Sequence, residues 1–489
     1  MSGRRETDGI AAAVGVSTAA QLASRGVHFL LNVIAGLALI RYFGPSAYGD
    51  YVFVLTYATL FGLLGDFGIG KIAVRDMARE PRDAGTALGT AIAVRLALAT
   101  AAAALAQLAL LVLDIRDDLR PAVAVASLLF LVDAVLSVVA VFQVRLAMHF
   151  EALVTIVIQA IDTAIILVLI QLQAGLLLLV ASPVVSGIAG VAVAVILVRR
   201  RFPLALSIDR RRMRGMLMDA LPIGITTMIV VLYIKTDAVI LGLLATPTDV
   251  GLFGAAYKPI EYALLALMLP INVLFPLLSR WHGQERGLFR MLYWRGADAL
   301  LALTLPIVVV VVVAAEPIVR TLYADSFAGA ADPLRVLAMA LPFMVLSAWQ
   351  GFALLSGGHQ RITMVYDAAA LVLNVVCNLV LIPRLGYLGA AVTAVITSVF
   401  VAACAWSAAA VRLDVHGGEH MRLARVIAAN GVLALTIVAG AQVAPLWLAT
   451  PVALALYPVW LLVSGVVSRA ELRLLSPARA GGVPAAEAR

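Results

Sequence analysis

Apolar runs of twenty or more residues recur along this chain from near its start almost to its end. Wound as a helix, a run of that length crosses the roughly 30 Å of hydrocarbon in a bilayer. The runs are solid rather than alternating, which excludes the ten-residue in-and-out rhythm of barrel strands. Hydrophobic residues fill 63% of the 489 positions and charged ones only 13%, against about 25% charged in an ordinary soluble domain. A length that would otherwise suggest about three soluble domains therefore reads as an all-α integral membrane protein of about 14 transmembrane helices.

Basic residues set the expected orientation, because cytoplasmic loops carry the excess of Lys and Arg. With the N-terminus inside, 26 of the 36 Lys and Arg fall on the inner side and 6 on the outer side. Miscounting one early helix would destroy that partition, so both termini are expected in the cytoplasm. The net charge of +8 resides in these short loops rather than in one compact basic face, which argues against a nucleic-acid partner. The polar start, Met1 to Ile10, has no cleavable apolar segment directly after it, so the first run is expected to remain as a helix.

The chain repeats itself. Pro45-x-x-Tyr48-Gly49-x-Tyr51 returns 202 residues later as Pro247-x-x-Val250-Gly251-x-Phe253, each copy joining the first two helices of a six-helix set. A weaker echo pairs Pro183…Gly190 with Pro383…Gly389. Sets of six give two lobes of like orientation, related by a pseudo-two-fold along the membrane normal. The expected organisation is an N-terminal lobe (14–200), a basic cytoplasmic linker (201–216), a C-terminal lobe (217–411), two extra helices (423–467) and a disordered tail (468–489). The seven arginines of Arg199–Gly215 suit a segment lying on anionic headgroups, and equally a positive-inside stop signal.

Charge at the centre of a membrane helix costs about 2.5–3.5 kcal/mol or more, so such groups usually have work to do. Gln21, Arg25, His28 and Asn32 follow the spacing i, i+4, i+7, i+11 and share one face of the first span. The eighth span carries Lys258, Glu261 and Asn272, and the seventh carries Lys235 and Asp237, whose two-residue spacing sends them to different sides. The fifth lines up Thr155, Gln159 and Asp162, the eleventh Thr363, Asp367, Asn374 and Asn378; Asp66, Arg95, Asp133 and Asp298 complete the set. One reading makes them interhelical glue; the other makes the cations a site for an anionic phosphate or diphosphate. The candidate substrate-binding set is Arg25, Lys235, Lys258, Gln21, His28, Asn32 and Arg95. Asp237, Glu261 and Asp66 are the candidates for ion coupling or charge tuning.

Other chemistry is not legible. Gly65-Asp-Phe-Gly-Ile-Gly70-Lys71 has the spacing of a phosphate-binding loop, but Ile72 replaces the metal-binding hydroxyl and a membrane helix precedes it. No hydrolase or metal motif is present, Cys377 and Cys404 lie in apolar runs without metal spacing, and neither a cofactor nor a catalytic site is expected.

Three groups of residues carry a resemblance. They are Gly44-Pro45-x-x-Tyr48-Gly49-x-Tyr51, Leu64-Gly-Asp66-Phe-Gly68-Ile with Arg75-Asp-Met-Ala78-Arg79, and Asp237-Ala-Val-Ile-Leu-Gly242 with Val250-Gly-x-Phe253-x-x-Ala256-Tyr257-Lys258. Ile382-Pro383-x-x-Gly386-x-x-Gly389-Ala-Ala391 extends the series. In order and spacing they resemble bacterial polysaccharide-biosynthesis (O-antigen type) flippases, within a superfamily that includes lipid II flippases and multidrug extruders. The resemblance implies two six-helix lobes around a cationic cavity opening alternately to either side. The cargo it implies is an undecaprenyl-diphosphate-linked oligosaccharide, with membrane lipids, a glycan polymerase or glycosyltransferases as neighbours. The extra helix pair is shared by the lipid II branch and many oligosaccharide flippases. A lipid II flippase, a multidrug cation antiporter and a non-transporting scaffold of a glycan assembly complex stay open as alternatives.

Overall fold

Hydrocarbon offers no partner to a bare N–H or C=O, so every apolar run must close its backbone hydrogen bonds within itself. The computed structural model accordingly contains helices and no strand among the described residues. Those residues are 2–112, 115–202, 205–415, 420–443 and 446–463. For 2–23, 420–425, 427, 441–443, 446–450, 453 and 461–463 only the backbone is described. The expected tail at 468–489 and the Gln21 side chain lie outside this description. Eleven segments among the described residues are long and apolar enough to cross a membrane. The first runs from Ser24 to Arg79 and contains a break at Gly44, so it supplies two apolar arms. Large aliphatic side chains stay exposed along the helices, among them Leu111, Val365 and Leu435, as lipid rather than water requires.

Helical packing divides the described residues into two compact units, one drawn from within 1–254, 322–327 and 371–390, the other from within 255–321, 328–370 and 391–489. In the first unit, α1 (Ser2–Asp66) packs against α3 (Ala84–Val112), α4 (Arg120–Leu136), α6 (Met148–Gln171) and α8 (Arg210–Leu244). The short α2 (Ile69–Arg79) lies between α1 and α3, and the short α5 (Ala140–Val144) follows a 3-10 turn at the end of α4. The sixth apolar run forms α7 (Leu176–Arg201), which approaches its neighbours closely through small residues. A Cβ on Gly190 would come within 2.2 Å of Ile158 of α6.

The chain then forms α9 (Pro247–Gln284), α10 (Arg286–Leu322), α11 (Ala331–Ser356), α12 (Gln360–Leu385) and α13 (Tyr387–Leu413). The last pair is α14 (His420–Val443) and α15 (Leu446–Val463). In the second unit, Trp349 of α11 is fully buried and donates its indole N–H to the Tyr293 carbonyl of α10 at 2.9 Å. Leu433 and Ile437 of α14 pack on Val309, Val310 and Val313 of α10. The Asn430 amide reaches the Tyr457 hydroxyl at 2.9 Å and ties α14 to α15.

The segment after Gly68 forms α2, an amphipathic helix that buries Ile69, Ile72, Ala73 and Met77. Of the helix-interior prolines, Pro317 sits three residues beyond the broken dihedral at Ala314, where a proline ring and its missing N–H disturb the preceding turn. The weaker echo does not mark equivalent places: Pro183 is inside α7, whereas Pro383 ends α12 and Gly389 lies just past the turn at Gly386.

Candidate functional site

The site is best built from the repeated motif outward. In the first copy, Gly44 takes φ 70° and ψ 172°, a left-handed conformation that favours glycine. Pro45 then begins the second arm of α1 with its fixed φ and no N–H to lose. The second copy enters its helix differently. Thr246 N–H donates to Asp249 Oδ2 at 3.0 Å, and Asp249 N–H donates back to the Thr246 hydroxyl at 3.2 Å, a reciprocal cap at the start of α9.

The two copies meet. A Cβ on Gly49 would stand 1.8 Å from the Pro247 carbonyl oxygen, and a Cβ on Gly251 would stand 1.8 Å from the Pro45 carbonyl oxygen. This reciprocity is a local two-fold, and it explains why the same glycine and proline recur at the same spacing. Further along the seam Phe53 covers Gly242, where a Cβ would be 2.1 Å from the ring. At the other end of α8, Phe67 covers Gly224 at 2.7 Å. Beyond it, Arg75 Nη2 reaches Asp219 Oδ2 at 2.6 Å and Asp76 Oδ1 at 2.8 Å. Arg212 pairs with Glu80 at 2.5 Å. Helix α8 thus meets the second arm of α1 through Gly242 towards its end, and meets Phe67 and α2 through Gly224 and ion pairs towards its start.

Two clusters of polar groups inside the first unit hold candidate site residues. Asp66 Oδ1 lies 3.2 Å from Arg95 Nε, and Arg95 also donates to the Ser137 hydroxyl. With Lys71 and Gln143 they line a cleft of about 360 Å3. The phosphate-loop spacing at Gly65–Lys71 forms a helix–turn–helix here, with Phe67 and Gly68 both at positive φ. In the second cluster Asp237 of α8 is buried and accepts from Asn374 at 2.8 Å and from Asn378 at 2.7 Å, both on α12. The Asn378 Oδ1 is buried without a hydrogen-bond partner. An anionic carboxylate beside an unused amide oxygen is chemistry suited to a small hard cation or a proton.

Asp66 and Arg95 are therefore brought together, and Asp237 turns to a neighbouring helix. Lys235, two residues away and half-buried, points elsewhere around α8. On α1, Arg25 is exposed, while His28 and Asn32 are half-buried and His28 Nδ1 is a buried nitrogen without a partner among the described residues. Lys258 and Glu261 belong to the second unit, paired at 2.9 Å, with the ammonium 5.9 Å from the Tyr262 ring centroid. Sequence reasoning aligned Asn374 and Asn378 on one face but did not assign them to Asp237. Their i, i+4 spacing was the available signal, and the partner came only from tertiary packing.

These features can be set beside known proteins. A family model described as polysaccharide biosynthesis protein matches residues 38–332, and one described as lipid II flippase MurJ matches 259–461. No curated relative matches the sequence. The fold is similar to lipid II flippase MurJ in its inward closed conformation, with a TM-score of 0.71 and 11% identity over 91% of this chain and 97% of that one. It is also similar to a multidrug resistance MATE family transporter in an inward-facing conformation, with a TM-score of 0.66 and 11% identity over 79% and 94%. A third likeness is to a MOP superfamily transporter from Pyrococcus furiosus, with a TM-score of 0.57 and 14% identity over 82% and 95%. Since the first family model spans more than half of the chain, this multi-pass membrane protein belongs to the polysaccharide biosynthesis protein family.

Proposed function

We propose that the protein is a secondary transporter that turns an undecaprenyl-diphosphate-linked oligosaccharide from the inner to the outer leaflet of a bacterial cytoplasmic membrane. The observation that carries this reading is the seam between the two motif copies. Paired glycines let two helices meet backbone to backbone, as a gate that must close tightly and reopen requires. Arg25, Lys235 and Lys258 supply positive charge from three helices for a diphosphate, with Gln21, His28 and Asn32 adding hydrogen bonds and Arg95 a further cation. The lobe boundaries, the cytoplasmic termini and contacts with glycan polymerases or glycosyltransferases belong to the same proposal. So does transport without catalysis.

Asp237 with Asn374 and Asn378 is the proposed coupling site, taking a cation or proton as the gate cycles. Glu261 and Asp66 tune the charge of the cations they pair with. A second reading, lipid II as cargo, is favoured by the match of residues 259–461 to the lipid II flippase model.

The test is the sidedness of lipid-linked oligosaccharides in cells lacking the gene, read with a membrane-impermeant glycan label before and after lysis. Build-up of unlabelled intermediates in intact cells, with surface polysaccharide lost, is the expected result. Normal sidedness and normal surface glycan reject the reading. If lipid II accumulates instead, the second reading replaces it. Complementation with Arg25→Ala should fail while the protein still reaches the membrane; normal export by this variant removes Arg25 from the site. Asp237→Asn, which keeps the volume and removes the charge, should stop export driven by an ion gradient and leave the protein folded.

A further inference from the structure

The seven arginines of Arg199–Gly215 are not absorbed by the transport cycle, and the first of them, Arg199, lines an unexplained cavity. A slot of about 620 Å3 opens in the first unit at the arginine end of α7. That volume lies within the roughly 300–1,000 Å3 of ordinary small-ligand sites. Leu88 and Ile92 of α3 form one wall, Val195 and Val198 of α7 another, and Leu206 closes it. Arg199 is the charged group of the lining.

The closing segment is firmly held. Residues 205–209 run over the start of α3, where Gly85 and Gly89 leave no side chain in the way. A Cβ at Gly85 would be 2.2 Å from the Ala205 carbonyl oxygen, and one at Gly89 would be 2.4 Å from that of Ser207. The Thr86 and Ser207 hydroxyls meet at 2.8 Å, and Asp209 N–H donates to Thr90 at 3.0 Å. The slot is therefore a built feature rather than a gap beneath a loose loop. Leu206 is nonetheless 57% exposed, so an aliphatic occupant would gain cover from it.

Charge specifies the occupant. Arg199, Arg200 and Arg201 are all exposed, and none of them forms an ion pair among the described residues. Other arginines nearby are committed, Arg212 to Glu80 and Arg75 to Asp219. An uncommitted guanidinium in the wall of an aliphatic slot, with two more following it at the same helix end, matches a molecule with a phosphate head and a hydrocarbon tail. We propose that the slot binds one acyl chain of an anionic glycerophospholipid from the arginine-side leaflet, with its phosphate on Arg199 and its neighbours. The bound chain would touch Leu206, and so would report on the segment that leads into α8.

The experiment uses the purified full-length protein in nanodiscs containing phosphatidylglycerol with a photoactivatable diazirine in one acyl chain. Cross-links should concentrate on peptides containing Ile92 and Val195–Arg199. Ile92→Trp, which fills the slot, should reduce them by about tenfold. Arg199→Gln, an exposed change that leaves folding intact, should weaken retention of phosphatidylglycerol about fivefold per removed charge without changing that of phosphatidylcholine. Labelling spread evenly over the lipid-facing helices and insensitive to Ile92→Trp overturns the proposal. Equal labelling by a phosphatidylcholine probe overturns the role of charge. Preferential displacement by undecaprenyl phosphate would assign the slot to a polyprenyl tail and overturn the glycerophospholipid.

Discussion

The two ends of the seam that α8–α9 forms with α1 and α2 close by different physics. At the motif end, carbonyl oxygens of Pro45 and Pro247 lie directly over Gly251 and Gly49. Such a contact carries no charge, is indifferent to salt and tolerates no added atom. At the charged end the glycine contact of Gly224 with Phe67 is supplemented by Arg75–Asp219 and Arg212–Glu80. Those pairs are partly exposed, and exposed pairs contribute about 0–1 kcal/mol that ions screen. One end therefore behaves as all-or-none and the other as adjustable.

The largest effect should come from breaking the motif end. Gly49→Val or Gly251→Val places a side chain where 1.8 Å is available, and the seam cannot close. In a background lacking Cys377 and Cys404, maleimide labelling of Val250→Cys, a position 1% exposed, should rise at least tenfold with transport lost. Unchanged labelling would mean that the glycines serve helix packing alone. A smaller effect is expected at the charged end. Arg75→Glu should raise labelling there by a few-fold, a shift of about 1 kcal/mol, and Asp219→Arg in the same chain should restore it. High salt should reproduce part of the Arg75→Glu phenotype and leave the motif end unaffected. The smallest change sharpens the difference between the two motif entries. Thr246→Ala removes a reciprocal cap and should cost about 1 kcal/mol of thermal stability without altering labelling at Val250→Cys.

The periodic features of this fold were legible in the sequence. Solid apolar runs announced the helices, and the spacing of Pro45 and Gly49 against Pro247 and Gly251 announced a duplicated joint. That joint is visible in one dimension because symmetry demands the same residue twice. Other features depend on what lies opposite, and single residues do not encode it. Nothing local to Asp237 identifies Asn374 and Asn378 as its partners, 137 and 141 positions away. The amphipathic α2 was obscured by its brevity, eleven residues between two long apolar runs. The 201–216 stretch looked like a plain basic tether because Ala205 and Ser207 seat their backbone over Gly85 and Gly89, and glycine gives no pattern of its own.

The seating of residues 205–209 on α3 also has a mechanical meaning. Asp209 leaves that seat and immediately starts α8, accepting from Arg211 N–H at 2.8 Å. No slack separates α3 from α8, so the connection acts as a fulcrum rather than a leash. Any swing of α8 must be taken up within its own length. Pro222, thirteen residues beyond Asp209 in sequence, withholds one rung of the helical ladder and marks where such a lever can flex.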